Sequence, residues 1–481
     1  MITGMGGGMG GGMGAEWAGR RVCVTGVAIS GAAAARALVA RGADVTVVEG
    51  RDGPREHEGA ALLRAAGATV LLGPASAQLP AGTDLVVTSP GWRPDQPLLV
   101  AAADAGVPVW GEVELAWRLR DPAVPWLGVT GTNGKTTTVQ MLEAILLSAG
   151  ARAVAAGNVG RPLVEVVTAD PAYDVIAVEV SSFQLHWTST VEFTAAAVLN
   201  VAPDHIDWHG SLEAYAADKA LAWRGRGLVV VNDDDRAARE LAASIAPGRT
   251  VRGFTLGEPG RGHLGVRDGW LVDSDEAHTL LAEVADVRPA APHNVANALA
   301  AAALARAYGV QAVAVRDGLR GFRAGGHRIA LVGTVGGVGY VDDSKATNPH
   351  AAAASLRAFD RVVWVAGGLA KGATFDTLVE QTAGRLRGVV LMGADRALIA
   401  EALARHAPDV PVVDVAGTDT GAMDDVVRAA AALARPGDTV LLAPACASMD
   451  MFRDYAARGD AFAAAARAIA ARDGADGGPV A

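Results

Sequence analysis

The stretch Gly128-Val129-Thr130-Gly131-Thr132-Asn133-Gly134-Lys135-Thr136 lies between an apolar run, PAVPWL (122–127), and a helix-like run, TTVQMLEAILLSAG (137–150). A strand that enters a glycine-rich loop and leaves it as a helix turns backbone N–H groups and a positive helix end toward phosphate. In that frame Lys135 can reach β- and γ-phosphates and the Thr136 hydroxyl can ligate Mg²⁺. Strict spacing would put a glycine at position 129, where valine stands, so this is a variant loop with glycines at 128, 131 and 134. The flanking strand and helix favour nucleotide binding over a plain glycine turn.

Working outward, VIAVEV (175–180) ends near Glu179, a carboxylate at a strand's C-terminal end. It reads either as a second Mg²⁺ ligand or as an unliganded edge carboxylate. The segment 199–223, LNVAPDHIDWHGSLEAYAADKALAW, gathers Asp204, His205, Asp207, His209 and Lys219, a set suited to metal or phosphate chemistry or to a solvated polar loop. A neutral lysine amine can capture CO₂ as a carbamate, an anionic oxygen ligand that arginine cannot make.

Lysine usage supports the chemical reading. Of 42 basic side chains only four are lysine, at 135, 219, 345 and 371, and all four lie in or beside motifs. Where arginine replaces lysine wherever it serves, the lysines that remain mark places needing a compact, deprotonatable amine.

The chain has 481 residues, 51% hydrophobic and 20% charged, with a formal net charge of −10. That suits a soluble multi-domain protein and leaves no broad basic surface for nucleic acid. No apolar run is long enough to span a membrane. The two cysteines have no metal-type spacing and no disulfide is expected, so a cytoplasmic setting is the expectation. The N-terminal MITGMGGGMGGGMG (1–14) reads as a disordered Gly/Met tail.

Residues 21–50 form a βαβ opening, with a further strand at 84–88 ending in Ser89-Pro90-Gly91. A dinucleotide fingerprint is broken there, with Gly26, Ala28 and Gly31 in its places, which disfavours an NAD oxidoreductase. Strand-like runs recur at 173–180, 195–201, 227–232, 361–368, 388–393 and 438–444, and HNVANALAAAALARAYG (293–309) is a helix ended by glycine. Alternating strands and helices predict α/β architecture with mainly parallel sheets, divided at 15–118, 119–324 and 325–481.

Taken together, SPG (89–91), GEVEL (111–115), TGTNGKTT (130–137), GNVGRP (157–162), VEVSSFQL (178–185), LNVAPDHID (199–207), HNVANALAA (293–301), HR (327–328), DDSKATN (342–348), GGLAKG (367–372) and PACASMDMF (444–452) resemble the Mur ligases, ATP-dependent amide-forming enzymes of peptidoglycan precursor synthesis. SSFQL, DSKATN and PACASMDMF point to members that add D-glutamate to UDP-N-acetylmuramoyl-L-alanine. The resemblance implies a Rossmann-like UDP-binding domain, a central P-loop ATPase domain and a C-terminal Rossmann-like domain, whose closure assembles the site. It also implies an acyl-phosphate intermediate, two Mg²⁺ ions, a monomer and no membrane insertion.

Residue by residue, the resemblance assigns Ile29, Ser30, Glu49, Arg51, Ser89, Pro90 and Gly91 to uridine. Gly131, Thr132, Asn133, Gly134, Lys135, Thr136 and Thr137 go to the ATP phosphates, Asn294 and Asn297 to adenine. Arg328, Asp343 and Lys371 are expected to face the nucleotide. Thr136 and Glu179 are expected to hold one metal ion, His205 and a carbamate on Lys219 the other. Asn158, Ser182 and Gln184 are expected to hold the muramoyl-alanine substrate. Lys345, Thr347 and Ser448 are expected to hold D-glutamate, with Tyr455 nearby. Lys135, Glu179, His205 and Lys219 form the catalytic set, and Lys219→Arg is expected to abolish synthesis with stability nearly intact. The chain departs from the common family pattern at His186, where Glu often follows SSFQL, and at Trp208-His209, where Arg-Tyr is common. Rivals are a related ligase acting on another amino acid or on folate, and a nucleotide switch without ligase activity.

Overall fold

A computed structural model describes residues 16–245, 247–275, 278–323, 325–417 and 419–476. The proposed Gly/Met tail lies outside them. The chain forms two compact units: residues up to Asp286 with Ala296–Phe322, and Val287–Val295 with Arg323 onward.

The first unit holds two sheets. One is five-stranded and parallel, in the order Thr69–Leu72, Asp44–Glu49, Arg21–Thr25, Leu85–Thr88 and Val109–Gly111. The other runs Thr279–Glu283, Trp270–Asp273, Leu264–Arg267, Val251–Phe254, Leu228–Asn232, Ala195–Val198, Trp126–Thr130, Val175–Glu179 and Ala153–Gly157. Its last six strands are parallel, whereas the hairpins within 264–283 are antiparallel. The central strands are buried on both faces, as parallel strands covered by helices must be, so they read as continuous apolar runs rather than alternating ones.

The second unit carries one sheet, ordered Ala330–Val335, Val338–Asp342, Thr439–Leu442, Val362–Gly367, Leu386–Met392 and Val412–Asp414. Only its first pair is antiparallel.

In the first unit, the helix Lys135–Ser148 after the glycine loop is packed closely by the helix Ala312–Gly321. A Cβ at Gly318 would lie 2.5 Å from the Ile145 Cα, so only glycine permits this approach.

The two sheets of that unit are fastened by the helix Glu112–Leu119, which carries two buried carboxylates. Glu112 accepts the Val164 N–H at 2.8 Å. Glu114 accepts the N–H groups of Ser189 and Thr190 and both their hydroxyls, and pairs with Arg118 at 2.8 Å. Burial pushes both carboxyls up. Donors around Glu114 outweigh that and hold it below its ordinary value, whereas the N–H groups of Val164 and Leu163 do not suffice, and Glu112 rises to about 7.

Candidate functional site

The loop 131–134 follows the central strand Trp126–Thr130, and its conformation is forced by glycine. Gly134 has φ 85° at the start of the helix, and a Cβ there would sit 2.4 Å from the Asn297 amide oxygen. Asn200, unassigned by sequence reasoning, braces the loop from the next strand's end. Its side chain accepts the Asn133 N–H at 2.8 Å and donates to the Asn133 carbonyl at 3.1 Å. The Thr132 hydroxyl bonds with the Tyr215 hydroxyl at 3.1 Å and accepts the Ala202 N–H at 3.0 Å. Thr136 and Thr137 open the helix beside Lys135.

Lys135 folds back to donate to the carbonyls of Gly131 (2.8 Å) and Thr132 (2.9 Å). Lys219, 1% exposed, donates to that same Gly131 carbonyl at 2.9 Å, its amine 4.3 Å from the Tyr215 ring centroid. Burial, and then the charge of Lys135, lower the Lys219 amine well below its ordinary value. A proton-poor amine is the form able to take up CO₂. The same burial revises the expectation that Lys219→Arg leaves stability nearly intact: a larger, permanently charged guanidinium would be forced into a site that disfavours charge, so stability falls along with synthesis.

Glu179 ends the strand beside the loop strand, paired in register with Val129. One carboxylate oxygen accepts from the Asn158 side chain at 2.8 Å, while the other is buried without a hydrogen-bond partner. A buried carboxylate oxygen left over in this way fits a cation ligand. Among the described residues no group of three or more His, Cys, Asp or Glu side chains converges to hold a metal ion. One protein carboxylate with a hydroxyl, phosphate oxygens and water suffices for Mg²⁺, which rarely takes an all-protein cage.

Ser182 and Gln184 lie in the short helix Ser182–His186, which begins with a capping box between Ser181 and Gln184. His205, in the left-handed region at φ 55°, begins the next short helix, its ring 4.7 Å from that of Phe183. Ser182 bonds to His209 and His209 to Asp218, a chain that sequence reasoning missed.

In the five-stranded sheet the order reverses between Arg21–Thr25 and Leu85–Thr88, and ligands of such sheets bind in the crevice at that switch point. Ser89 spans it, its hydroxyl donating to the Thr25 carbonyl at 2.5 Å and its N–H donating to the Thr25 hydroxyl at 2.9 Å. Pro90 and Gly91 continue the turn, Ile29 is 74% exposed, and Ser30 lies beside it in the first helix. Buried Glu49 ends its strand and accepts the Arg51 N–H at 3.1 Å. Sequence-predicted uridine residues are thus gathered at one edge.

In the second unit, Lys345 places its amine 3.9 Å from the Tyr455 ring centroid, and Thr347 donates its N–H to the Lys345 carbonyl. Ser448 is buried, Lys371 is exposed at φ 50°, and Asn294 donates to the Pro289 carbonyl at 3.2 Å. Asp343 lies beneath the surface, holding the Ser355 hydroxyl and the Ile329 N–H. Burial raises it to about 6 against those bonds, and the charge of Arg328 acts to lower it. Arg458, also missed from sequence, is 1% exposed and ties Ser344 to the Cys446 carbonyl, bracing the loops that carry Lys345 and Ser448. Both cysteines are free and buried. Among the described residues no helix is long and apolar enough to cross a membrane.

Three family models match: a Mur ligase MurD-like N-terminal domain over residues 20–111, a Mur ligase middle domain over 129–305, and a Mur ligase glutamate ligase domain over 327–446. UDP-N-acetylmuramoylalanine–D-glutamate ligase of Streptomyces avermitilis is 61% identical, over 95% of this chain and 100% of its own length. The protein of the same name from Mycolicibacterium smegmatis is 50% identical, over 94% and 97%. Among solved structures, the UDP-N-acetylmuramate-alanine ligase of Thermotoga maritima matches with a TM-score of 0.58 at 20% identity, over 93% of this chain and 99% of its own. A pseudomurein peptide ligase type C from Methanothermus fervidus matches with a TM-score of 0.57 at 17% identity, over 94% and 99%. At those identities the structural likeness is one of fold.

Proposed function

The chain belongs to the Mur ligase family, and from that premise we infer how its residues share the work. It is an ATP-dependent ligase that joins D-glutamate to UDP-N-acetylmuramoyl-L-alanine in peptidoglycan synthesis. The observation that carries the residue-level reading is the Gly131 carbonyl shared by Lys135 and Lys219, whose burial pushes its amine toward the uncharged form.

A carboxylate is a poor electrophile. Its oxygen attacks the γ-phosphorus of ATP, ADP leaves, and the acyl phosphate that results has a good leaving group. The D-glutamate amine then attacks the acyl carbon, phosphate departs and the amine loses a proton. Lys135 neutralises charge growing on the transferred phosphoryl group, and loop N–H groups orient the phosphates. Mg²⁺, when bound, withdraws charge from the phosphate oxygens.

The free oxygen of Glu179 and the Thr136 hydroxyl would hold one ion. The Lys219 amine reacts with CO₂ to give a carbamate and a proton, and that carbamate would hold a second ion with His205. Asn158, Ser182 and Gln184 hold the muramoyl-alanine arm, and the switch-point crevice holds uridine. Lys345, Thr347 and Ser448 hold the two D-glutamate carboxylates, which need cationic and hydroxyl partners. The domain division at 118 and 324 is supported by the spans of the three family models. We place the enzyme in the cytoplasm, with its nucleotide substrates, and as a monomer, which sedimentation would test.

The deciding experiment is phosphate release from ATP with UDP-N-acetylmuramoyl-L-alanine and D-glutamate, L-glutamate, a diamino acid or no amino acid. Stimulation by D-glutamate alone is the expected result. Stimulation by another amino acid would overturn the specificity, and none with any would overturn the ligase reading.

A further inference from the structure

His186 and His209, two of the three side chains at which the chain departs from the common family pattern, meet on one carboxylate. Asp218 takes the Nδ1 of His209 on one oxygen at 2.9 Å and the Nδ1 of His186 at 3.0 Å. The far nitrogen of His209, Nε2, lies 3.0 Å from the Ser182 hydroxyl. The His209 side chain is 1% exposed, and its ring stacks on Phe183 with centroids 5.3 Å apart and planes 13° apart. Tyr215 closes the other side at 5.2 Å. The ring therefore has no freedom to turn.

The chemistry of this arrangement is directional. An ionised carboxylate only accepts, so His209 Nδ1 must carry the proton. With Nδ1 turned to the carboxylate, Nε2 faces the Ser182 hydroxyl and accepts its one proton. The lone pairs of Ser182 remain for an incoming donor. The order serine–histidine–carboxylate is that of a hydrolytic triad, but Ser182 is 2% exposed and its hydroxyl is here being oriented. We propose that His209, held by Asp218, is a positioning residue that fixes Ser182 as a hydrogen-bond acceptor for an N–H group of the muramoyl-alanine substrate. The amide N–H of the L-alanyl arm is the donor chemistry that fits. His186 shares that carboxylate oxygen with His209 and also reaches the second oxygen at 3.2 Å, which steadies Asp218. The proposal rests on the reading of Ser182 as a substrate contact.

The test is a double-mutant cycle in the full-length enzyme, with KM for UDP-N-acetylmuramoyl-L-alanine, KM for ATP and D-glutamate, and kcat measured for each variant. Ser182→Ala and His209→Ala should each raise the first KM by about tenfold, the order expected for a buried hydrogen bond, with the other constants little changed. The double variant should be no worse than Ser182→Ala. His209→Gln, whose carbonyl can still accept the serine proton, should recover most of the loss, and it carries the cycle if the alanine variant does not fold. Asp218→Asn should behave as a milder His209→Ala. Multiplicative losses in the double variant, or a loss in kcat with the substrate KM unmoved, would overturn the proposal while leaving Ser182 as a contact. An unchanged KM in Ser182→Ala would overturn both.

Discussion

Glu112→Gln offers a quantitative test of the fastening between the first unit's two sheets. The carboxyl is 3% exposed and accepts backbone N–H groups that do not repay its burial, so it protonates at about 7 in the folded chain against an ordinary 4.5. Between those values the folded state binds more protons than the unfolded one, so its stability rises as pH falls through the window. Above pH 7 the buried carboxylate costs roughly 3 kcal/mol, from about 2.5 pH units at about 1.36 kcal/mol each. Glutamine keeps the accepting oxygen and carries no charge. The variant should therefore be more stable than the parent by about 3 kcal/mol at pH 8, shrinking to about 1 kcal/mol at pH 5.5. Urea titrations followed by tryptophan fluorescence would read this, because Trp117 on the same helix packs edge-on against Trp126 at 5.2 Å. A variant advantage that does not change with pH, or a variant weaker than the parent at pH 8, would refute the reasoning.

Two further outcomes follow from the nucleotide site. Turnover in CO₂-depleted buffer should fall and return on adding bicarbonate, whereas Lys219→Ala should be inactive and indifferent to bicarbonate; equal rates with and without CO₂ would dispose of the carbamate. Gly134→Ala should cost at least about tenfold in ADP affinity measured by calorimetry, because the new methyl needs a φ of 85° and meets the Asn297 amide. Unaltered affinity there would mean that the loop is softer than its packing implies.

The parallel strands were legible because double-sided burial makes them apolar throughout: YDVIAVEV covers Val175–Glu179 and RVVWVAGG covers Val362–Gly367. The antiparallel pieces were not. Strands Leu264–Arg267, Trp270–Asp273 and Val338–Asp342 are short, and only their tight turns at Asp268-Gly269 and Gly336-Gly337, all with positive φ, mark them. Motif reading singled out Lys135, Glu179 and Lys219 because each sits in a local pattern. It assigned no role to Asn200, Asp218 or Arg458, whose partners are 67, 9 and 32, and up to 114 positions away. Those roles exist only once the chain has folded. GEVEL served as a family mark, and nothing in its five letters distinguishes the carboxylate that five donors satisfy from the one that two do not.

The scarcity of lysine has a practical consequence for chemical labelling. The four side-chain amines span the full range of access: Lys371 is exposed, Lys135 and Lys345 are half-buried, and Lys219 is sealed. An acylating reagent followed by peptide mass analysis would thus label three of them to graded extents and leave Lys219 untouched, with almost no background from elsewhere in the chain. On the roles proposed above, protection of Lys135 by nucleotide and of Lys345 by D-glutamate could be followed against the ligand-free spectrum of the same protein. The same spectrum would show any 44-dalton adduct on Lys219 that survives handling, so the proposed roles of three lysines become testable without a single engineered residue.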